Sequence, residues 1–179
     1  MKEADPSSNI VQTSGRSTRE LRWIGIGIAA ALVVLLIDQL TKHLVMHHYR
    51  LYESTPVISN VFSITYVRNS GAAWNILAGK QYLLLIFAIL VLVGICRFFR
   101  YLSEGYPERI VALMLMISGI IGNSIDRLWH NEVIDFLDFH YYDIWSYPVF
   151  NVADMSICIG AGLFVLSSCL RKKPQEKQP

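Results

Sequence analysis

Charge is scarce in this chain. Asp, Glu, Lys and Arg make up 17% of its 179 residues, whereas a soluble domain carries about a quarter. Cysteine is scarce too. Cys96, Cys158 and Cys169 all lie within apolar runs, and their spacing fits neither a disulfide framework nor a zinc site. They read as small apolar packing residues. The histidines at positions 43, 47, 48, 130 and 140 include no pair with the spacing of a helical zinc motif. His47-His48 reads as solvated or interfacial, and no cofactor or metal is expected. The net charge of +2 says little about acidic partners, and no nucleic-acid partner is expected.

What is abundant is apolar. Such residues form 53% of the chain, and the mean hydropathy is +0.38. The length suits one domain. Four apolar segments stand out: Trp23 to Ile37, continuing to about Leu44; Tyr82 to Phe99; Ile110 to Ile125; and about Val152 to Leu170. Each reaches the length of about 20 residues that spans a bilayer only when polar residues at one end are included. The expected fold is an all-α membrane protein of four transmembrane helices with a small extracytoplasmic β-rich segment. Residues 1–20 are polar, without apolar periodicity, and are expected to be a disordered cytoplasmic tail. They do not resemble a signal peptide, because the following apolar run is long and lacks a small-residue cleavage site before Asp38. Residues 21–170 form the membrane domain, and 171–179 a basic cytoplasmic tail.

Lys and Arg set the orientation. Eleven of the sixteen fall in the N-terminal tail, the connection between the second and third segments, and the C-terminal tail. The positive-inside rule then places both termini in the cytoplasm and residues 45–80 and 128–148 outside. Pro56 to Val67 is β-branched and aromatic with partial alternation, so short strands are expected there. The second outer connection holds Trp129, Tyr141, Tyr142, Trp145 and Tyr147, residues suited to the headgroup layer.

With this topology the intramembrane polar groups gather on the outer side: Asp38-Gln39-x-x-Lys42, Gly122-Asn123-x-x-Asp126-Arg127 and Asn151-x-x-Asp154. Ionisable groups within a membrane are costly and face an interior or a wet cavity. Several have plain structural readings. Asp38 and Lys42 are spaced to pair on one helix face. Asp126-Arg127 suits a brace, and Asn123 and Asn151 suit either bracing or substrate contact. Gly71-Ala72-Ala73 is a tight turn or backbone beside a peptide. Asp154 has an N-terminal capping role open to it. Asp135, in the apolar stretch Val133 to Leu137, is harder to explain structurally. Two carboxylates in one low-dielectric site divide their roles: one keeps a proton and the other loses it. Such a pair activates water as a base and protonates a leaving amine as an acid.

The chain resembles the bacterial lipoprotein signal peptidases, also called signal peptidase II, over roughly residues 22–170. The resemblance rests on four blocks in order: Asp38-Gln39-x-x-Lys42; Asn69-x-Gly71-Ala72-Ala73-Trp74; Gly122-Asn123-x-x-Asp126-Arg127 with Ile134-Asp135-Phe136; and Phe150-Asn151-x-Ala153-Asp154-x-x-Ile157. It implies an aspartic endopeptidase of the bacterial cell membrane with Asp135 and Asp154 as the catalytic pair. The implied substrate is a prolipoprotein whose lipobox cysteine carries diacylglycerol, cut just before that cysteine. Asp126 and Arg127 match supporting positions, Asn123 and Asn151 match positions lining the site, and Asp38, Lys42, Asn69 and Gly71 match positions that shape it or contact substrate. The only expected partners are that substrate and membrane lipid, and the protein is expected to act as a monomer. Two positions depart from the family pattern. Asn131 stands where the family usually has Gly, and Asn is the next-best residue for a left-handed turn. Ile134 stands in place of Val. Two other readings compete: a small transporter or proton relay using Asp38, Asp126 and Asp154, and a non-enzymatic assembly factor. A relay needs polar groups at several depths, and an assembly factor leaves two buried aspartates without a purpose.

The charge asymmetry makes a direct prediction. Single cysteines replacing Tyr52 and Arg100 should be labelled by an impermeant thiol reagent from opposite sides of the membrane. Labelling of both from the same side would overturn the topology.

Overall fold

A computed structural model describes residues 6–72, 76–142 and 144–171, with side chains from residue 18 onward. Ala73 and Trp74 of the second block, and the basic tail beyond Arg171, lie outside the described residues. The elements run α1 (Pro6–His48), β1 (Ser54–Ile58), β2 (Phe62–Asn69), α2 (Gln81–Arg97), α3 (Phe99–Ser103), α4 (Pro107–His130), β3 (Val133–Tyr141), β4 (Trp145–Ser146) and α5 (Val152–Leu170). Helix α1 begins at Pro6, within the segment expected as a tail. The polar segment runs straight into a long apolar helix. Extending an existing helix adds one hydrogen bond per residue without a new nucleation cost.

Three helical stretches are long and apolar enough to cross a membrane: Thr18–His48, Pro107–His130 and Val152–Leu170. The helix Gln81–Arg97 is also apolar but shorter. Leu32, Val33, Leu36, Leu40 and Leu44 on α1, Phe87 and Leu90 on α2, and Val165 and Leu166 on α5 are all exposed. An apolar surface of this extent marks a lipid-facing exterior. The three cysteines are exposed as well, so they do not pack inside the bundle. As weakly polar thiols they suit the outward helix faces equally well.

Helix α4 is the centre of the bundle, packing against α1, α2 and α5. It starts at Pro107, where the missing N–H costs nothing, and its buried face carries Ile110, Leu113, Gly119, Gly122, Asn123 and Asp126. Lipid gives apolar helices little reason to associate, so the contacts use small and polar residues. A side chain at Gly119 would collide with the Ala153 carbonyl of α5. Ser156 Oγ donates to the Leu115 carbonyl at 2.9 Å, and Ser118 Oγ to the Ala31 carbonyl of α1 at 2.8 Å. Helix α4 ends at Asn131, which takes the left-handed conformation at φ 56°, as expected of Asn in place of Gly.

The four strands form an antiparallel sheet in the order β1-β2-β3-β4. The first two strands overlap the segment Pro56 to Val67 whose alternation predicted them, with β1 starting earlier at Ser54 and β2 ending later at Asn69. The third strand was not foreseen, since only its apolar character and the aromatics around it were read. Val67 pairs with Asp135 and Asn69 with Val133 across β2 and β3. Val45 of α1, Tyr66 of β2, and Ile134 and Phe136 of β3 form a small core beneath the sheet. The sheet is thereby fixed to one end of α1, the end that carries Asp38 and Lys42. Phe62, Phe139 and Phe150 stack in succession, with ring centres 4.6 and 5.8 Å apart, and carry the chain from the sheet into α5.

Candidate active site

The site grows from a buried lysine. Lys42 points from α1 toward α4 and is 1% exposed. Its ammonium lies 2.9 Å from Asp38 Oδ2 and 2.8 Å from Asp126 Oδ2, and donates to Asn123 Oδ1 at 3.1 Å. An ammonium has three donors, and each has an acceptor here. The predicted Asp38–Lys42 pair is present, and it extends across to the next helix through Asp126. Gly122 makes room: a Cβ there would sit 2.6 Å from Asp38 Oδ2.

Both carboxylates of this cluster reach further. Asp38 Oδ1 accepts the Ala153 backbone N–H at 2.9 Å, which anchors the start of α5. Asp126 Oδ2 accepts the Ile134 N–H at 3.2 Å, which anchors β3 one residue before Asp135. Gln39 Nε2 donates to Asp38 Oδ2 and Asp126 Oδ1. Gln39 was quoted in the first sequence block without a site role. Its position beside Asp38 was the available signal.

Asp135 and Asp154 lie on either side of two asparagines. Asp135 Oδ2 accepts from Asn69 Nδ2 at 3.0 Å, and its Oδ1 from Asn151 Nδ2 at 2.7 Å. Asp154 Oδ1 accepts from Asn123 Nδ2 at 2.7 Å, and its Oδ2 from the Asn151 N–H at 3.2 Å. Asn151 Nδ2 also donates to Asn123 Oδ1 at 3.1 Å. Asn151 and Asp154 together make a capping box at the start of α5. The capping role open to Asp154 is therefore real, and it leaves Asp154 Oδ1 on the neighbouring helix's asparagine. Asn151 braces both acids, and Asn123 braces Asp154.

The two aspartates differ in exposure. Asp135 is buried, whereas Asp154 is partly exposed. Burial pushes the Asp135 carboxyl up to about 7, and the charge of Asp154 pushes the same way; hydrogen bonds from Asn69 and Asn151 oppose the shift. Counting Asp38, Asp126, Asp135 and Asp154 against Lys42 and Arg127, four carboxyls share two cations. A retained proton on one acid relieves that imbalance.

Arg127 supplies the last wall. One guanidinium nitrogen donates to its own helix at the Asn123 carbonyl, 3.3 Å away, and another to the Gly71 carbonyl at 3.2 Å. Gly71 N–H in turn donates to Asn69 Oδ1 at 2.9 Å. The turn after β2 is thus held by Arg127 and itself orients the amide that reaches Asp135. All ten residues proposed from sequence meet in this one network: Asp38, Lys42, Asn69, Gly71, Asn123, Asp126, Arg127, Asp135, Asn151 and Asp154. Among the described residues, no group of three or more His, Cys, Asp or Glu side chains is arranged to hold a metal ion.

A family model described as signal peptidase (SPase) II matches residues 30–170. The chain is 40% identical over 148 residues to a lipoprotein signal peptidase of Bacillus subtilis, which covers 83% of this chain and 96% of that one. It is 37% identical over 170 residues to the lipoprotein signal peptidase of Pasteurella multocida, covering 93% and 98%. A solved structure of a bacterial membrane enzyme superposes with a TM-score of 0.76 at 36% identity, covering 86% of this chain and 95% of that one. The fold and these relatives define a membrane protease. The chain belongs to the signal peptidase II family, which sets aside the transporter and assembly-factor readings.

Arg127→Lys tests the brace. A single ammonium lacks the planar fork that reaches two carbonyls in different directions. The Lys variant should lose at least about tenfold in kcat with its fold intact, a change of about 1.4 kcal/mol in the barrier. Wild-type turnover and wild-type thermal stability in that variant would show that Arg127 supplies only charge.

Proposed function

We propose that this protein removes signal peptides from diacylglyceryl-modified prolipoproteins at the bacterial cell membrane. Cleavage falls just before the lipid-bearing cysteine, and Asp135 and Asp154 activate the water. The observation that carries the proposal is the linked pair of asparagines, in which Asn151 holds both the buried Asp135 and the partly exposed Asp154 and Asn123 holds Asp154. The relatives named lipoprotein signal peptidase support the substrate class.

The chemistry follows from the different surroundings of the two acids. Asp135 keeps its proton at pH values below about 7, and Asp154 serves as the base. Water attacks the scissile carbonyl carbon while its proton passes to Asp154, and Asp135 gives its proton to the carbonyl oxygen. The tetrahedral species then collapses: the C–N bond breaks, the leaving nitrogen takes the proton from Asp154, and the hydroxyl proton returns to Asp135. Asp126 and Lys42 keep β3 and α5 in place and take no part in proton transfer. The peptide has to arrive unwound, because a helical backbone in a bilayer has its polar groups already paired. The β-rich segment beside the site offers cover for an extended peptide, while the substrate's acyl chains stay in lipid.

The proposed topology has four spans, both termini in the cytoplasm and the site near the outer leaflet. The helix Gln81–Arg97, continued by Phe99–Ser103, is the fourth span. Its apolar composition and the basic residues Arg97 and Arg100 at its end support this.

Asp135→Asn and Asp154→Asn should each abolish cleavage of a lipidated precursor peptide while leaving the protein folded in the membrane. One general acid–base partner contributes about 10²–10⁴ in rate, and two that act as a unit are not additive. The double variant should therefore be little worse than either single one. Asp126→Asn should retain residual cleavage, since its role is to hold Lys42 and the Ile134 N–H. Wild-type activity should fall as pH rises above about 7, because Asp135 then loses the proton it must donate. Substantial activity in Asp135→Asn combined with none in Asp126→Asn would replace the pair by Asp126 and Asp154.

A further inference from the structure

The opposite ends of the same helices carry a second charged cluster that plays no part in the proposed hydrolysis. A cavity of about 310 Å³ lies between α1, the turn from α3 into α4, and the end of α5. Arg19, Glu20, Glu104, Tyr106, Pro107 and Arg171 line it. The apolar run of α1 begins at Trp23, the membrane-length helix α4 begins at Pro107, and the membrane-length helix α5 ends at Leu170. The cavity therefore sits where three apolar helices meet water, at headgroup depth.

Part of its wall is built in advance. Arg171 Nε donates to Glu108 Oε1 at 2.7 Å, a second guanidinium nitrogen lies 2.7 Å from the same oxygen, and the guanidinium rests 3.7 Å from the Tyr106 ring centre. Glu108 is in turn held by Ser167 Oγ at 2.9 Å. Glu104 is anchored by the buried Arg109 at 2.8 Å and remains more than half exposed. Arg171 keeps one guanidinium nitrogen free of Glu108, and Glu104 keeps one carboxylate oxygen free of Arg109. Arg19 and Glu20 have no ion-pair partner among the described residues.

The walls thus present two guanidinium groups and two carboxylates. A purely anionic ligand would gain from the arginines and be opposed by the glutamates, and a purely cationic one would meet the reverse. A ligand with an anion and a cation a few bonds apart satisfies both pairs. The face of Tyr106 is already covered by Arg171, so the cavity has no open aromatic surface for a quaternary ammonium. Carboxylates instead favour a cation with N–H donors. We propose that this cavity binds the phosphoethanolamine headgroup of a zwitterionic phospholipid, with the phosphate on Arg19 and Arg171 and the primary amine on Glu20 and Glu104.

Native mass spectrometry of the full-length protein in detergent reads this directly, with added phosphatidylethanolamine, phosphatidylglycerol, phosphatidylcholine or free phosphoethanolamine. Phosphatidylethanolamine should be retained about tenfold more tightly than either other lipid. Arg19→Gln and Glu20→Gln should each remove that preference while leaving the thermal unfolding temperature unchanged. Equal retention of the three lipids by the wild-type protein would overturn the proposal, whatever the variants do. A preference that survives both substitutions would place the lipid elsewhere and also overturn it. Free phosphoethanolamine that binds as tightly as the lipid would make this a site for a soluble ligand and would overturn the assignment to lipid.

Discussion

The Lys42 ammonium, buried among Asp38, Asp126 and Asn123, is the contact on which the rest of the site depends. Each of its partners has a second duty. Asp38 fixes the first turn of α5 through Ala153, Asp126 fixes β3 through Ile134, and Asn123 holds Asp154. One cation therefore locates both proposed catalytic acids, although it touches neither. Removing one partner of a buried ion pair costs about 3–5 kcal/mol, because the other charge is left uncompensated. With two carboxylates depending on a single ammonium, that cost here falls on the geometry of the site as well as on stability.

The arrangement also divides labour by depth. The ion cluster is buried, with Asp38, Lys42 and Asp126 at most 2% exposed. Asp135 sits at its edge on a strand, and Asp154 opens toward solvent at the start of a helix. Carboxyls placed across such a gradient differ in proton affinity without any metal, which is what acid–base hydrolysis of an amide requires. The sheet contributes through register. Pairing β2 with β3 sets Asn69 within reach of Asp135, and Arg127 secures the turn that follows β2.

Much of this was legible in the sequence. Asp38 and Lys42 are four residues apart in an apolar helix, and few arrangements other than a pair tolerate them there. Capping roles for Asn151 and Asp154 follow from their position before an apolar run. Asn131 announces a left-handed helix end. Cross-helix partners were not legible. Lys42 meets Asp126 across α1 and α4, and spacing along one helix carries no information about the facing helix. Strand β3 was hidden because Val133 to Leu137 is continuously apolar around one aspartate, so it lacks the alternation that exposed β2. The helical extension of α1 to Pro6 is set by its continuity with the span, which composition does not record. The outward cysteines show that, in a membrane, an apolar residue need not face the protein interior.

The most direct test of the account is a single turnover in oxygen-18 water, with protein in excess over a lipidated precursor peptide. Direct attack by a water held between Asp135 and Asp154 predicts heavy oxygen in the new carboxylate of the released signal peptide on the first turnover, and none in either aspartate. An unlabelled product with heavy oxygen recovered in Asp135 or Asp154 would mean that one carboxylate attacks the peptide covalently, and would contradict the shared-water mechanism.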